Sequence, residues 1–122
     1  MMTKKILILD DDEDILYFCR VIFEALDFEV TSVTHTDHIL ALVKTTTPDI
    51  ILIDNWMPGM SGDEATRVLK SIEQFKQIPV VLFSAANDLE AIAQHAGADA
   101  YIQKPFDLDD LEKLILSLLK AN

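Results

Sequence analysis

Residues 50–62 read IILIDNWMPGMSG, and this stretch decides the fold because an apolar run ends there in an acidic residue. Ile50–Ile53 is continuously apolar, which is typical of a parallel strand covered on both faces. Two further runs of the same kind, Ile6–Leu9 and Val80–Phe83, stand on either side of it in the chain. Asp54 follows the central run directly, where an acid without a partner would be poorly placed.

The rest of the chain alternates between short strand-like runs and segments of helical period. Glu29–Val33 and Ala100–Ile102 complete a set of five predicted strands. The helical stripes that separate or follow the strands are Ile15, Phe18, Cys19, Ile22 and Leu26; Ile39, Leu42 and Val43; Ala65, Val68, Leu69 and Ile72; Leu89, Ile92, Ala93 and Ala96; and Leu111, Leu114, Ile115, Leu118 and Leu119. This alternation predicts one α/β domain over residues 1–122, a doubly wound five-stranded parallel sheet.

Composition excludes several classes of protein. A chain of 122 residues is one ordinary domain, and no apolar run approaches the roughly 20 residues that span a bilayer. The formal net charge of −11 argues against non-specific nucleic-acid binding, which depends on clustered lysine and arginine. The one cysteine, Cys19, has no partner for an internal disulfide. We therefore expect a cytoplasmic protein.

Polar side chains follow four of the five predicted strands, and the carboxyl ends of parallel strands form the ligand crevice of such sheets. They are the acids Asp10–Asp12, then Asp54, Ser84 and Lys104. Clustered carboxylates repel one another unless a cation neutralises them, and ligation by oxygen alone suits Mg²⁺. A hydroxyl and an ammonium group are suitable donors to phosphoryl oxygens.

Each of these residues also has an ordinary structural explanation. Asp10–Asp12 could be a solvated run that caps the first helix. Ser84 could satisfy a backbone group at the end of its strand, and Lys104 could be a solvated surface lysine. The combination is more specific than any one member.

At this point the sequence resembles the receiver domain of two-component response regulators, of the single-domain chemotaxis type, over essentially the whole chain. The resemblance implies a (βα)5 flavodoxin-like sandwich. The matching segments are the acids after Ile6–Leu9, residues 54–62 with Asp54, Pro58 and Gly62, then Ser84-Ala85 and Tyr101 to Phe106 with Lys104-Pro105.

The resemblance implies phosphorelay signalling, in which Asp54 accepts a phosphoryl group from a phosphohistidine of a histidine kinase or phosphotransfer protein. Asp10 and Asp11 would hold Mg²⁺ together with Asp54 and the backbone carbonyl of Trp56. Three consecutive acids leave the register open by one residue, and the position of Ile15 favours Asp10 and Asp11 over Asp12. The chain would not be an enzyme beyond catalysing its own phosphorylation and dephosphorylation.

Further roles follow from the same resemblance. Lys104 would bind the phosphoryl oxygens, and the Lys104–Pro105 bond would be cis. Ser84 and Tyr101 would form a switch that alters the face made by the fourth helix, the fifth strand and the fifth helix. The supporting residues would be Pro58, Gly62, Ala85 and Pro105.

The resemblance implies two partners, the phosphodonor and an unknown downstream protein, and neither nucleic acid nor a membrane is expected to bind. The chain is expected to be a monomer or a weak phosphorylation-dependent dimer.

Trp56 is bulky at the mouth of the site, and Ala86 brings no polar group to orient a water molecule. These two departures predict a comparatively long-lived phosphorylated state. The alternatives are a Mg²⁺-dependent aspartyl-phosphate hydrolase and a phosphorylation-independent scaffold. His35 and His38 are expected to be solvated residues near a helix start.

Overall fold

A computed structural model describes residues 3–120, so residues 1, 2, 121 and 122 of the predicted domain lie outside the described ones. The strands are β1 Lys5–Leu9, β2 Glu29–Val33, β3 Ile50–Asp54, β4 Val80–Ser84 and β5 Ala100–Gln103. The helices are α1 Glu13–Ala25, α2 Ile39–Thr46, α3 Gly62–Lys70, α4 Leu89–Ala96 and α5 Leu108–Lys120. Strand and helix alternate throughout, as the sequence predicts.

The five strands form one parallel sheet in the order β2-β1-β3-β4-β5. The chain moves from β1 to one side of the sheet and then returns to the other side of β1, so the order reverses between β1 and β3. In the register of neighbouring strands, Asp54 pairs with Phe83 and Ser84 pairs with Gln103. The carboxyl ends of β3, β4 and β5 therefore meet at one edge of the sheet.

Helices cover both faces of the sheet, which confirms the predicted doubly wound fold. Side chains of α1 and α5 pack on one face, against residues such as Ile8 and Leu52. Side chains of α2, α3 and α4 pack on the other face, against Leu9 and Ile53 among others. Because β3 and β4 are covered on both sides, all five residues of each strand are buried. The edge strand β5 alternates between half-buried and exposed positions.

The stripe predicted for the first helix is partly wrong. Phe18 is 55% exposed and Leu26 is 37% exposed, whereas Leu16 and Phe23 are buried beside Cys19. Nearly every residue from 15 to 23 is apolar, so two overlapping stripes lie one residue apart. The sheet selects the stripe that contains Phe23, whose ring meets Phe28 edge-on at 5.3 Å between centroids. Burying such a ring contributes roughly 2–3 kcal/mol.

Helix ends and turns follow local chemistry. Ser61 caps α3, because its hydroxyl accepts a hydrogen bond from the Glu64 N–H at 3.4 Å. Gly97 ends α4 in a left-handed conformation with φ of 81°. The Lys104–Pro105 peptide bond is cis, as predicted. Between residues 3 and 120, the structure contains no helix with the length and apolar character needed to cross a membrane.

Candidate functional site

Four polar side chains lie at the carboxyl edge of the sheet, the edge at which the strand order reverses between β1 and β3. Asp10 follows β1, Asp54 is the last residue of β3, Ser84 is the last residue of β4, and Lys104 follows β5. In doubly wound sheets this crevice is the usual place for a ligand. The topology therefore places these residues at the same edge although up to 94 positions separate them in sequence.

Three carboxylates form a cluster at this edge. Asp10, Asp11 and Asp54 each offer an oxygen, and these oxygens all lie within 4.8 Å of one another. Asp10 is fully buried and Asp54 is 4% exposed, while Asp11 is exposed. Two buried acids and a third at the mouth form an all-oxygen donor set that fits a hard divalent cation. The cluster is therefore a candidate metal site.

Lys104 supplies positive charge to the two buried acids. Its Nζ donates a hydrogen bond to Asp10 Oδ2 at 2.8 Å and another to Asp54 Oδ2 at 3.3 Å. The same nitrogen lies 4.6 Å from the ring centroid of Phe83, a cation–π contact that holds it from a third side. One ammonium group thus contacts two of the three carboxylates, which leaves the cluster with excess negative charge.

The pKa values of Asp10 and Lys104 depend on burial and on their mutual contact. Burial raises the pKa of Asp10 from 3.8 to about 6, although hydrogen bonds from Lys104 and the Asp12 N–H oppose the change. Partial burial lowers the pKa of Lys104, but hydrogen bonds and charges from Asp10 and Asp54 outweigh it and raise the value above its ordinary range. The lysine therefore stays protonated, and ionisation of the buried Asp10 carboxyl costs free energy in the folded protein.

The structure distinguishes the three consecutive acids. Asp10 Oδ1 accepts a hydrogen bond from the Asp12 N–H at 2.8 Å, which turns the chain from β1 into α1. Asp12 then caps α1, because its Oδ1 accepts from the backbone N–H of Asp14 at 2.9 Å and of Ile15 at 3.4 Å. Asp10 and Asp11 join the carboxylate cluster and Asp12 belongs to the helix start.

Hydrogen bonds hold the loop between β3 and α3 in place around Asp54. The Trp56 N–H donates to Asp54 Oδ1 at 3.3 Å, although the Trp56 side chain is largely exposed. Buried Asn55 accepts from the Asp63 N–H through Oδ1 at 2.9 Å, and its carbonyl accepts from the Gly62 N–H at 3.0 Å. A Cβ at Gly62 would collide with the Asp54 carbonyl oxygen and lie 2.8 Å from Asn55 Cα. Position 62 must therefore be glycine for α3 to start this close to the phosphoacceptor candidate.

The predicted switch residues lie on the last two strands. Ser84 is fully buried, and its Oγ accepts from the Ala86 N–H at 3.2 Å. Tyr101 stands on edge strand β5 and is 42% exposed. Desolvation and the nearby Glu90 carboxylate raise the pKa of Tyr101. Its hydroxyl is thus neutral at physiological pH and lies beside α4.

An apolar groove of about 390 Å³ adjoins Lys104. It is lined by Ile15, Phe18, Cys19, Ala85, Lys104, Pro105, Phe106 and Leu108. Burial raises the pKa of the Cys19 thiol to about 11, so this side chain behaves as an apolar wall. The groove runs between the start of α1 and the start of α5, next to the carboxylate cluster.

The remaining candidates lie elsewhere. His35 Nδ1 lies 3.8 Å from Asp37 Oδ2, and both side chains are more than half exposed. His38 immediately precedes α2 and makes no side-chain cap. Neither histidine belongs to the carboxylate cluster.

Thr36, which the sequence interpretation missed, is buried between the loop that follows β2 and the loop that follows β3. No local pattern marks it, since its partners lie 22 and 24 positions away.

The response regulator receiver domain model matches residues 6–116. The chain belongs to this family. The receiver domain is therefore a phosphorelay signalling module of two-component systems. Among curated relatives, it is 34% identical to the phosphate regulon transcriptional regulatory protein PhoB of Pseudomonas aeruginosa, over 98% of this chain and 53% of that protein.

The relatives of this chain include a sensor kinase as well as a transcriptional regulatory protein. It is 31% identical to the CAI-1 autoinducer sensor kinase/phosphatase CqsS of Vibrio cholerae, over 88% of this chain and 16% of that protein. The solved receiver domain of a signal transduction histidine kinase from Syntrophus aciditrophicus superposes with a TM-score of 0.90 at 27% identity, covering 98% and 92% of the two chains. The chain thus spans about half the length, or less, of these curated relatives.

Proposed function

We propose that Asp54 is the phosphoacceptor of this receiver domain and that a phosphohistidine of a histidine kinase or phosphotransfer protein is the donor. The observation that carries the proposal is the shared ammonium group of Lys104, which hydrogen-bonds Asp10 and Asp54 inside the carboxylate cluster. A cation already seated against the acceptor oxygen is well placed to bind phosphoryl oxygens as charge develops on them.

In the transfer, a carboxylate oxygen of Asp54 attacks phosphorus in line with the phosphorus–nitrogen bond. That bond breaks as the oxygen–phosphorus bond forms, and the imidazole leaves with the bonding electrons and takes up a proton. Lys104 then binds an oxygen of the acyl phosphate, and the Trp56 N–H holds the other carboxylate oxygen, its partner in the resting state.

Mg²⁺ is the cation that the donor set fits, and Asp10, Asp11, Asp54 and the backbone carbonyl of Trp56 would hold it. When bound, it neutralises negative charge on the transferred group. A bound cation would favour the ionised form of the buried Asp10 carboxyl, whose pKa burial raises to about 6.

The modified Asp54 is proposed to draw the Ser84 hydroxyl towards its phosphoryl oxygens. Ser84 holds the Ala86 N–H in the resting state, so this movement rearranges the chain that leads into α4. Tyr101 then turns inwards from its exposed position beside Glu90. The result is a population shift on the surface of α4, β5 and α5, which a downstream protein reads. The strong negative charge of the chain favours a protein reader over direct contact with nucleic acid.

The apolar groove beside Lys104 is proposed to receive the phosphohistidine partner. Phe18 is exposed at its wall, and the exposed acids Asp14 and Asp107 neighbour its lining residues in sequence. A partner helix with an apolar ridge and basic flanks would match this surface, and docking there brings its histidine next to the cluster.

Intact mass measurement after incubation with Mg²⁺ and acetyl phosphate tests the proposal. The expected product carries one added phosphoryl group, which Asp54→Asn abolishes. Asp12→Asn is the matched control, because asparagine still caps α1 and Asp12 lies outside the cluster. It should leave the adduct unchanged.

The alternatives give different results in the same experiment. A hydrolase would release phosphate over many turnovers without accumulating the adduct, and a scaffold would form no adduct. Neither is favoured. Position 56 carries a tryptophan rather than a second acid, and Lys104 is in contact with both Asp10 and Asp54.

A further inference from the structure

Thr36 joins the connection between β2 and α2 to the loop that follows β3. It is 2% exposed, and its hydroxyl lies 2.7 Å from the Met60 carbonyl oxygen and 3.1 Å from that of Pro58. A hydroxyl has one proton to donate, and the shorter contact, to Met60, is the better donor geometry. The Thr36 N–H reaches the Pro58 carbonyl as well, at 3.4 Å. One residue thus holds two carbonyl groups of the neighbouring loop.

The two loops fit together because position 59 has no side chain. Gly59 adopts φ of 87°, where other residues are strained. A Cβ there would lie 2.8 Å from Asp37 Oδ1 and 3.1 Å from Thr36 Oγ1. Position 59 therefore has no room for a side chain beside the Thr36 hydroxyl.

The same connection is also tied to the first acid of the cluster. The Asp10 N–H donates to the Val33 carbonyl at 3.2 Å, and Val33 precedes Thr36 by three residues. The short segment from Val33 to Thr36 therefore links the backbone of Asp10, by hydrogen bonds, to the carbonyl groups of Pro58 and Met60. Those two groups lie on the loop that contains Trp56, whose N–H contacts Asp54.

We propose that Thr36 is a positioning residue that fixes the separation between the Asp10–Asp11 pair and the loop that carries Trp56, and so sets the affinity of the cluster for Mg²⁺. This inference rests on the proposed function of the cluster. Thr36 acts through two backbone segments, in the way that outer partners orient metal ligands. Loss of such partners typically weakens metal binding by about 10- to 100-fold.

The test compares Mg²⁺ affinity, measured by calorimetry, among variants that have been shown to be folded by a thermal melt. Thr36→Val removes the hydroxyl at nearly constant volume, and Thr36→Ser retains it. Thr66→Val is the matched control, because the Thr66 hydroxyl is equally buried and also donates to a carbonyl, that of Gly62 at 2.8 Å, but within its own helix. If Thr36→Val does not fold, Thr36→Ala carries the same expectation with a smaller side chain.

We expect Thr36→Val to weaken Mg²⁺ binding about tenfold, while Thr36→Ser and Thr66→Val stay within about twofold of the wild type. Emission of Trp56, the one tryptophan of the sequence, should report the same order of affinities without any phosphorylation. An unchanged dissociation constant in Thr36→Val, or an equal loss in Thr66→Val, overturns the role of Thr36 and leaves the cluster standing. Absence of any Mg²⁺ binding by the wild type overturns the cluster itself, and this inference with it.

Discussion

Replacing Asp10 by asparagine is expected to stabilise the metal-free protein at neutral pH, although it removes a proposed Mg²⁺ ligand. Burial raises the pKa of Asp10 from 3.8 to about 6. Because the folded state has the higher pKa, the contribution of this carboxyl group to stability is full below about pH 4 and is lost as the pH rises through 6. A difference of roughly two pKa units corresponds to about 3 kcal/mol at pH 7.5.

Asparagine resembles the protonated carboxyl group and escapes this cost. Its amide oxygen can still accept the Asp12 N–H, which Asp10 Oδ1 accepts at 2.8 Å. Its amide NH₂, however, replaces an acceptor for Lys104 Nζ, and losing a charged hydrogen bond offsets about 1–2 kcal/mol. The expected net gain at pH 7.5 is therefore about 1–2 kcal/mol.

Urea unfolding in EDTA measures the difference. Between pH 7.5 and pH 4.5 the stability difference should shift by about 2 kcal/mol in favour of the wild type, because the wild-type carboxyl becomes protonated in the folded state, and the advantage of Asp10→Asn should vanish or slightly reverse. Asp12→Asn should stay within about 0.5 kcal/mol of the wild type at both pH values, since asparagine caps a helix as well as aspartate does. Saturating Mg²⁺ should reduce the advantage, because binding stabilises mainly the wild type.

Two results would refute the reasoning. If Asp10→Asn is less stable than the wild type at pH 7.5 in EDTA, the ion pair with Lys104 outweighs the cost of burial. If the difference between the two proteins does not change with pH, the Asp10 carboxyl does not titrate between pH 4 and 7, and the burial argument fails.

Three further predictions concern the loop, the groove and the start of α3. Trp56→Asn should speed loss of the phosphoryl group about tenfold, or about 1.4 kcal/mol of barrier, as measured by phosphate release; equal or slower release contradicts the shielding role. Phe18→Ser should slow phosphoryl transfer from a phosphorylated histidine partner about tenfold, or about 1.4 kcal/mol of barrier, without slowing phosphorylation by acetyl phosphate. Leu40→Ser on α2 should leave both rates unchanged. Equal losses of rate with the two donors would count against docking in the groove. Gly62→Ala should lower the free energy of unfolding in urea by about 3 kcal/mol, because the added methyl group overpacks the site. Gly97→Ala should lower it by about 1 kcal/mol, because only the positive φ resists a side chain there. Similar losses in the two variants would mean that α3 shifts to make room.

The sheet and the order of its elements along the chain could be predicted because each strand has a recognisable pattern in its own short stretch of sequence. Continuous apolar runs such as Ile50–Ile53 are typical of strands covered on both faces, and the structure buries them completely. The first helix shows the limit of such patterns. Residues 15 to 23 are apolar at almost every position, so periodicity alone could not choose between the stripe with Phe18 and the stripe with Phe23. Only contact with the sheet and with Phe28 makes that choice.

The site was predictable to the extent that its residues follow strands. Asp10, Asp54, Ser84 and Lys104 each occupy a strand end, which topology places at one edge. The pairing of Lys104 with Asp10 could not be read from the sequence, since it depends on the distance between two side chains 94 positions apart.

The Thr36 contact was unpredictable for a related reason. A threonine in a loop has no pattern of its own, and its partners become apparent only when two connections pack against each other.

The contrast between β3 and β5 has a consequence for how the domain responds to modification. Every residue of β3 is buried at the centre of the sheet, whereas β5 is an edge strand with two exposed positions. Amide protons of β3 should therefore exchange with solvent only through global unfolding, while those of β5 exchange through local openings of low free energy. If modification of Asp54 on the fully buried strand β3 alters β5, the response would need only a redistribution among conformers of an edge strand that already opens locally in the resting protein.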